Sequence, residues 1–204
     1  IGAVVGSQPF GGEGMSGTGP KAGGPHYVSR LKKSPLPEHK LVREDDIDPA
    51  KVQVALDEAY TDTHTPLETI DMPGPTGESN RWSTFPRGTV LCLGPTIADA
   101  AKQAKIAQHM GCAVVCVTPG LDASVGLSGF LARQALSNLS RFDAVALWSG
   151  VDDLRAARQA LAERKGPLLP LISTSDMKQF CVLERHLCID TTAAGGNASL
   201  LAAQ

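Results

Sequence analysis

The chain has 204 residues and a mass of 21.3 kDa, room for one ordinary domain or for parts of two. Its 19 Lys plus Arg against 21 Asp plus Glu give a formal charge of -2, which excludes a basic protein that coats nucleic acid and offers no reason to expect a membrane-surface binder. Hydrophobic residues at 42% and charged residues at 20% are ordinary for a globular chain, and no apolar run is long enough to span a bilayer. Five cysteines, an odd number spread over the whole length, do not read as a disulfide framework and fit a reducing cytoplasm.

Nine of the 21 glycines fall in the first 24 residues. Residues 3–5 read as a short strand, and residues 11–24 as loop, because glycine that dense disfavours helix and sheet alike. The chain opens on Ile1-Gly2-Ala3, apolar residues that run straight into a Gly-rich turn, so it reads as the C-terminal piece of a longer polypeptide. Residues 31–46 are polar and hold two prolines, an exposed connector. Asp48-Pro49 is a helix start, with an N-cap followed by proline at the first helical position. Val52, Ala55, Leu56 and Ala59 then recur on one face, predicting a helix over 47–60. Residues 61–86, with four prolines and two glycines, read as a second connector.

From Arg87 the pattern changes. Short apolar runs at 89–93, 112–117, 142–148 and 168–172 predict buried strands. Helices are predicted between them, over 97–110 with Ile97, Ala101, Ala104 and Ala107 on one side, over 129–139 with Phe130, Leu131, Ala135 and Leu139 inward, and over 152–164. A further helix is expected over 177–183 and an extended piece over 186–190. Alternation of this kind gives an α/β fold with a doubly wound, mainly parallel sheet.

Gly12-x-Gly14-x-x-Gly17 has the spacing of a dinucleotide fingerprint, but the following Gly19-Pro20 and Gly23-Gly24-Pro25 leave no helix to start there. His109, Cys112 and Cys116 invite a metal reading. Cys112 and Cys116 stand four apart on a strand, on one face but too distant to chelate together, and Cys-x-x-Cys pairs are lacking. All five cysteines therefore read as buried structural thiols, without neighbours that would activate a nucleophile.

Two stretches carry a specific resemblance. Gln8-Pro9-Phe10-Gly11-Gly12 is shared by many aldehyde dehydrogenases, and Ser16-Gly17-Thr18-Gly19-Pro20-Lys21-Ala22-Gly23-Gly24-Pro25 is more particular. Together they resemble the C-terminal end of the L-glutamate γ-semialdehyde dehydrogenase domain in the bifunctional proline utilization A family. DTTAAGGNASL, residues 190–200, resembles the C-terminal motif of that family's long form, and residues 78–95 onward are similar to the long form's extra C-terminal domain. The resemblance implies residues 1–30 as the Gly-rich end of an aldehyde dehydrogenase catalytic domain and 31–86 as connector. It implies 87–190 as a non-catalytic, Rossmann-like C-terminal domain and 191–204 as a covering motif.

The family's function, as the resemblance carries it over, is NAD-dependent oxidation of L-glutamate γ-semialdehyde to glutamate, fused to an FAD-dependent proline dehydrogenase. Gly2 and Ala3 fall on the loop whose backbone amides hold the substrate's α-carboxylate. Glycine lets N–H groups approach an anion unobstructed, and Ala3 adds no hydroxyl where a relative has serine. Phe10 matches an aromatic of the aldehyde pocket, with core filling as the structural alternative. The nucleophilic cysteine, general-base glutamate and NAD-binding residues would all lie upstream of Ile1. The segment itself is thus expected to hold no catalytic residue, cofactor or metal, to be inactive alone, and to contact the rest of its own polypeptide but no nucleic acid. Homo-oligomerisation and peripheral contact of the intact protein with the inner membrane face stay open. The competing reading is a free-standing Rossmann-like binding or assembly module.

Overall fold

The computed structural model describes residues 3–32 and 45–190. Its centre is a four-stranded parallel sheet built from β3 (Thr89–Cys92), β4 (Ala113–Cys116), β5 (Ala144–Ala146) and β6 (Leu171–Ile172) in the order β4-β3-β5-β6. Helix α1 (Pro49–Glu58) starts as the sequence predicts, with the Asp48 carboxylate accepting the Ala50 N–H at 2.9 Å. Helix α2 (Ile97–His109) opens on a full capping box between Thr96 and Asp99, and α3 (Val151–Ala162) follows β5.

Strand alternation sends successive side chains to opposite faces of this sheet. Leu91, Val115, Val145 and Leu147 pack with Val52 and Leu56 of α1 and with Leu154 and Ala157 of α3. Val90, Cys92, Cys116, Ala144 and Ala146 pack on the other face with Ala104 and Ala107 of α2, Trp148 and Met177. Helices therefore cover both faces, and the α/β reading with a parallel sheet holds.

The stretch 61–86 is not a connector. It contains β1 (Glu68–Met72) and β2 (Glu78–Pro86), which join β7 (Val182–Asp190) in a three-stranded antiparallel sheet of order β1-β2-β7. The four prolines mislead because they flank the strands or end one, where no ladder donor is needed. Helix α1 is likewise part of the parallel-sheet unit, since Val52 and Leu56 are fully buried in its core.

Other expectations shift locally. Residues 3–5 form no strand: they lead into a turn over 5–7, closed by the Ser7 and Gln8 N–H groups on the Val4 carbonyl. Only Arg133–Ser137 is helical in 129–139, as a 3-10 turn, because Gly129 (φ 138°) and extended Ala132 break the path. Phe130, Leu131 and Leu139 are still buried there. In 177–183 a 3-10 turn, Lys178–Phe180, gives way to β7. On α2, Ile97 and Ala101 face outward, and Ala100 and Gln103 take the buried positions. Gln103 is tolerated because its amide accepts the Gly94 N–H at 3.1 Å and donates to the Gly94 carbonyl at 2.8 Å. Four cysteines are buried, but Cys188 is exposed on the distal half of β7.

Candidate functional site

The Gly-rich stretch pairs largely with itself. Phe10 and Ala22 exchange backbone hydrogen bonds of 3.1 and 2.7 Å, Glu13 bridges Thr18, and the Gly14 N–H donates to the Gly17 carbonyl at 2.9 Å. The Gly12-x-Gly14-x-x-Gly17 spacing thus lies in a self-paired loop, not at a strand-to-helix turn. Gly19 is required at its place: its φ is +74°, and a Cβ would sit 2.6 Å from the Glu13 carboxylate.

This loop is fastened to the two sheets by buried charge. Arg87, 6% exposed, occupies the two-residue step from β2 to β3. Its Nε donates to the Phe180 carbonyl at 2.5 Å. Its Nη2 reaches the Thr18 and Val182 carbonyls, each at 2.9 Å, and the Glu13 carboxylate at 3.3 Å. One guanidinium therefore ties the loop to the start of β7.

Glu184 of β7, 3% exposed, forms the second tie. Its Oε2 accepts the Lys21 backbone N–H at 2.8 Å and the Trp82 indole N–H at 3.3 Å, and its Oε1 lies 3.0 Å from His26 Nδ1. The Trp82 ring meets His26 edge-on at 5.0 Å between centroids. Burial pushes the Glu184 carboxyl up, but the hydrogen bonds from His26, Lys21 and Trp82 outweigh it and hold the group below the usual carboxylate range. Glu13 goes the other way: burial raises it against the pull of Arg87 and Lys21. Lys21, whose role the sequence leaves open, also donates from Nζ to the Gly11 carbonyl at 2.7 Å, so it closes the loop on itself. Further out, Arg30 stacks on Phe180 with 3.8 Å from guanidinium carbon to ring centre, and Gln8 donates to Glu78 at 2.8 Å.

Of the residues singled out from sequence, Gly2 lies outside the described residues, as does the covering motif over 191–204. Ala3 and Phe10 are on the loop's outer side, both exposed, so Phe10 does not fill a core within this chain. Val4, Val5 and Met15 are exposed with them. The loop is pinned by its polar groups and turns its apolar ones outward. Sequence inspection missed Arg87, Glu184, Trp82 and His26, which come from four separate segments. The one available signal was Arg87 itself, a charge two residues before the apolar run at 89–93.

The buried thiols form two pairs on one sheet face. Cys92 stands opposite Cys116 in the β3-β4 register, and the Cys112 Sγ lies 3.2 Å from the Cys181 carbonyl. Within each pair the shared hydrogen bond, more than burial, raises one thiol and lowers the other, Cys92 and Cys181 being the raised ones. Among the described residues no three His, Cys, Asp or Glu side chains converge as metal ligands, and no helix is long and apolar enough to cross a membrane.

Comparison with known proteins adds to this geometry. No family model matches the chain. The bifunctional protein PutA of Escherichia coli is 34% identical over 240 aligned positions, which take in 98% of this chain and 18% of that protein. PutA of Rhizobium meliloti is 34% identical over 233, covering 99% and 19%. The chain thus spans about a fifth of the length of these relatives. Among solved structures, a Bradyrhizobium japonicum proline utilization A mutant and a bifunctional proline utilization A protein each match 51% of the chain and 13% of theirs, with 26% identity and a TM-score of 0.42. By a likeness that runs through nearly all of its sequence, the chain belongs with the bifunctional PutA proteins and corresponds to one stretch of them.

Proposed function

We propose that the chain serves proline catabolism as a non-catalytic stretch of an NAD-dependent L-glutamate γ-semialdehyde dehydrogenase fused to an FAD-dependent proline dehydrogenase. Residues 1–30 are the end of the aldehyde dehydrogenase catalytic domain, in which backbone amides at Gly2 and Ala3 hold the substrate's α-carboxylate and Phe10 walls the aldehyde pocket. The α/β unit that follows is a Rossmann-like support, and 191–204 covers the interior. NAD and FAD are held by other parts of the protein, and this stretch by itself turns over no semialdehyde.

The observation that carries the reading is the posture of the Gly-rich loop. Buried Arg87 and Glu184 fix its inner side, while Ala3, Val4, Val5, Phe10 and Met15 are exposed on its outer side. A loop pinned by buried charge, with apolar side chains on its outer side, suits a wall of a site whose reacting groups come from elsewhere. The test is steady-state kinetics of the intact protein carrying Gly2→Val. A side chain in the carboxylate's space removes one or two charge-assisted hydrogen bonds, so KM for the semialdehyde should rise about tenfold or more with proline oxidation unchanged. Unaltered semialdehyde kinetics would take Gly2 and Ala3 out of the site.

A further inference from the structure

A cavity of about 420 Å³ lies where the Gly-rich loop, the Arg87 step, the segment before β6 and the start of β7 converge. Its charged lining is Glu13, Lys21, Arg87, Asp143, Glu184 and Arg185, three groups of each sign. Leu168, Leu169 and Leu183 add an apolar wall. Ligand sites of this kind combine an apolar wall with a few placed polar groups, and this volume is at the small end of their range.

Most of the lining charge is already used. Glu184 accepts from Lys21, Trp82 and His26, and Arg185 is drawn off by the Thr63 carbonyl at 3.2 Å and by the Phe85 ring. Glu13 accepts from Arg87 on Oε1, and Lys21 donates from Nζ to the Gly11 carbonyl at 2.7 Å. Arg87 and Asp143 each keep one side-chain atom for a ligand. Arg87 commits Nε and Nη2 to protein acceptors, and its Nη1 has no hydrogen-bond partner among the described residues. Asp143 accepts the Thr89 N–H at 2.8 Å on Oδ2, and its Oδ1 has no partner among them. A half-satisfied carboxylate and a half-satisfied guanidinium line one balanced cavity beside an aliphatic wall.

We propose that this cavity binds a small aliphatic zwitterion, its ammonium on Asp143, its carboxylate on Arg87 and its carbon chain along Leu168 and Leu169. A divalent cation is disfavoured by Arg87, Lys21 and Arg185 in the lining, and a plain anion or cation would leave one of the two groups unmatched. Burial raises the Asp143 carboxyl against the Thr89 N–H and Arg87, so a bound ammonium would relieve a cost the protein carries without it. The inference does not depend on the dehydrogenase reading.

Isothermal titration of the full-length protein with 5-aminopentanoate, pentanoate and pentylamine tests it. The zwitterion should bind at least tenfold more tightly than either singly charged analogue. Asp143→Asn, which keeps an acceptor for Thr89, should weaken the zwitterion about tenfold and leave pentanoate unchanged. Leu168 is 52% exposed, so Leu168→Trp should fold and obstruct the cavity, abolishing the heat. No binding at concentrations on the order of 10 mM, equal affinity for all three probes, or wild-type affinity in both variants would overturn the proposal.

Discussion

The parallel-sheet core and the junction under the Gly-rich loop are held by opposite kinds of chemistry. In the core, Leu91, Val145 and Leu147 are fully buried among aliphatic neighbours, and each contributes by leaving water. At the junction, Arg87 and Glu184 are almost as buried, but they are held by directed bonds to specific carbonyls, amides and ring nitrogens. An aliphatic core tolerates repacking of similar volume, whereas a buried charge whose partners are removed has no cheap alternative. The junction is therefore the more specific of the two and the more brittle.

The sharpest way to break this contrast is a pair of variants followed by urea unfolding and amide hydrogen exchange. Arg87→Met leaves the Thr18, Phe180 and Val182 carbonyls without their donor and should cost about 4 kcal/mol. Leu91→Ala opens a cavity between α1, α3 and the sheet and should cost about 3 kcal/mol. The pattern of exchange separates them. Arg87→Met should expose the Lys21 amide well before the Leu93 and Val117 amides, since only the Lys21 amide, bonded to Glu184, depends on the loop staying docked. Uniform loss of protection in both variants would mean that loop and core are one cooperative unit.

The same contrast explains what could be read in the sequence. The aliphatic core was legible because its signal is local: strands β3 and β4 and helix α2 each show burial within a dozen consecutive residues. The hub was not, because Glu13, His26, Trp82, Arg87 and Glu184 reach one another across up to 163 positions between Lys21 and Glu184, and no spacing rule spans that distance. Strands β1 and β2 were hidden by flanking prolines and by side chains such as Asn80, Arg81 and Ser83 that look like loop. The outer loop residues were legible only through resemblance, since the side chains of Ala3 and Phe10 are exposed and no periodic pattern marks them.

Within the junction the two carboxylates should respond oppositely to pH, beginning with the larger effect. Glu184→Gln keeps one acceptor oxygen but loses the charge that three donors converge on, and should cost about 2 kcal/mol at neutral pH. Because the folded group is held below the usual carboxylate range, its contribution is present above the unfolded value of about 4.3. It is lost as pH falls through the lower folded value. The gap between wild type and variant should thus stay level from pH 7 to about 5 and narrow only in acid. A gap that widens in acid would mean that burial, not the donors, governs Glu184.

Glu13→Gln should have the smallest effect, under about 1 kcal/mol, and the opposite sign. Burial raises the folded Glu13 carboxyl, against Arg87 and Lys21, so the native state binds a proton more readily than the unfolded chain does. Below the unfolded value of about 4.3 both states are protonated and the shift makes no contribution relative to acid. As pH climbs through the raised folded value, the wild type must carry a carboxylate in the packed space beside Gly19, and its stability declines. Gln carries none, while its amide oxygen can still accept from Arg87 Nη2 at the place where Glu13 does at 3.3 Å. Urea midpoints measured from pH 4 to 8 should therefore show the variant gaining on the wild type with rising pH and then levelling off. If it instead loses ground as pH rises, the Arg87–Glu13 ion pair outweighs desolvation, and the junction draws net stability from both of its carboxylates.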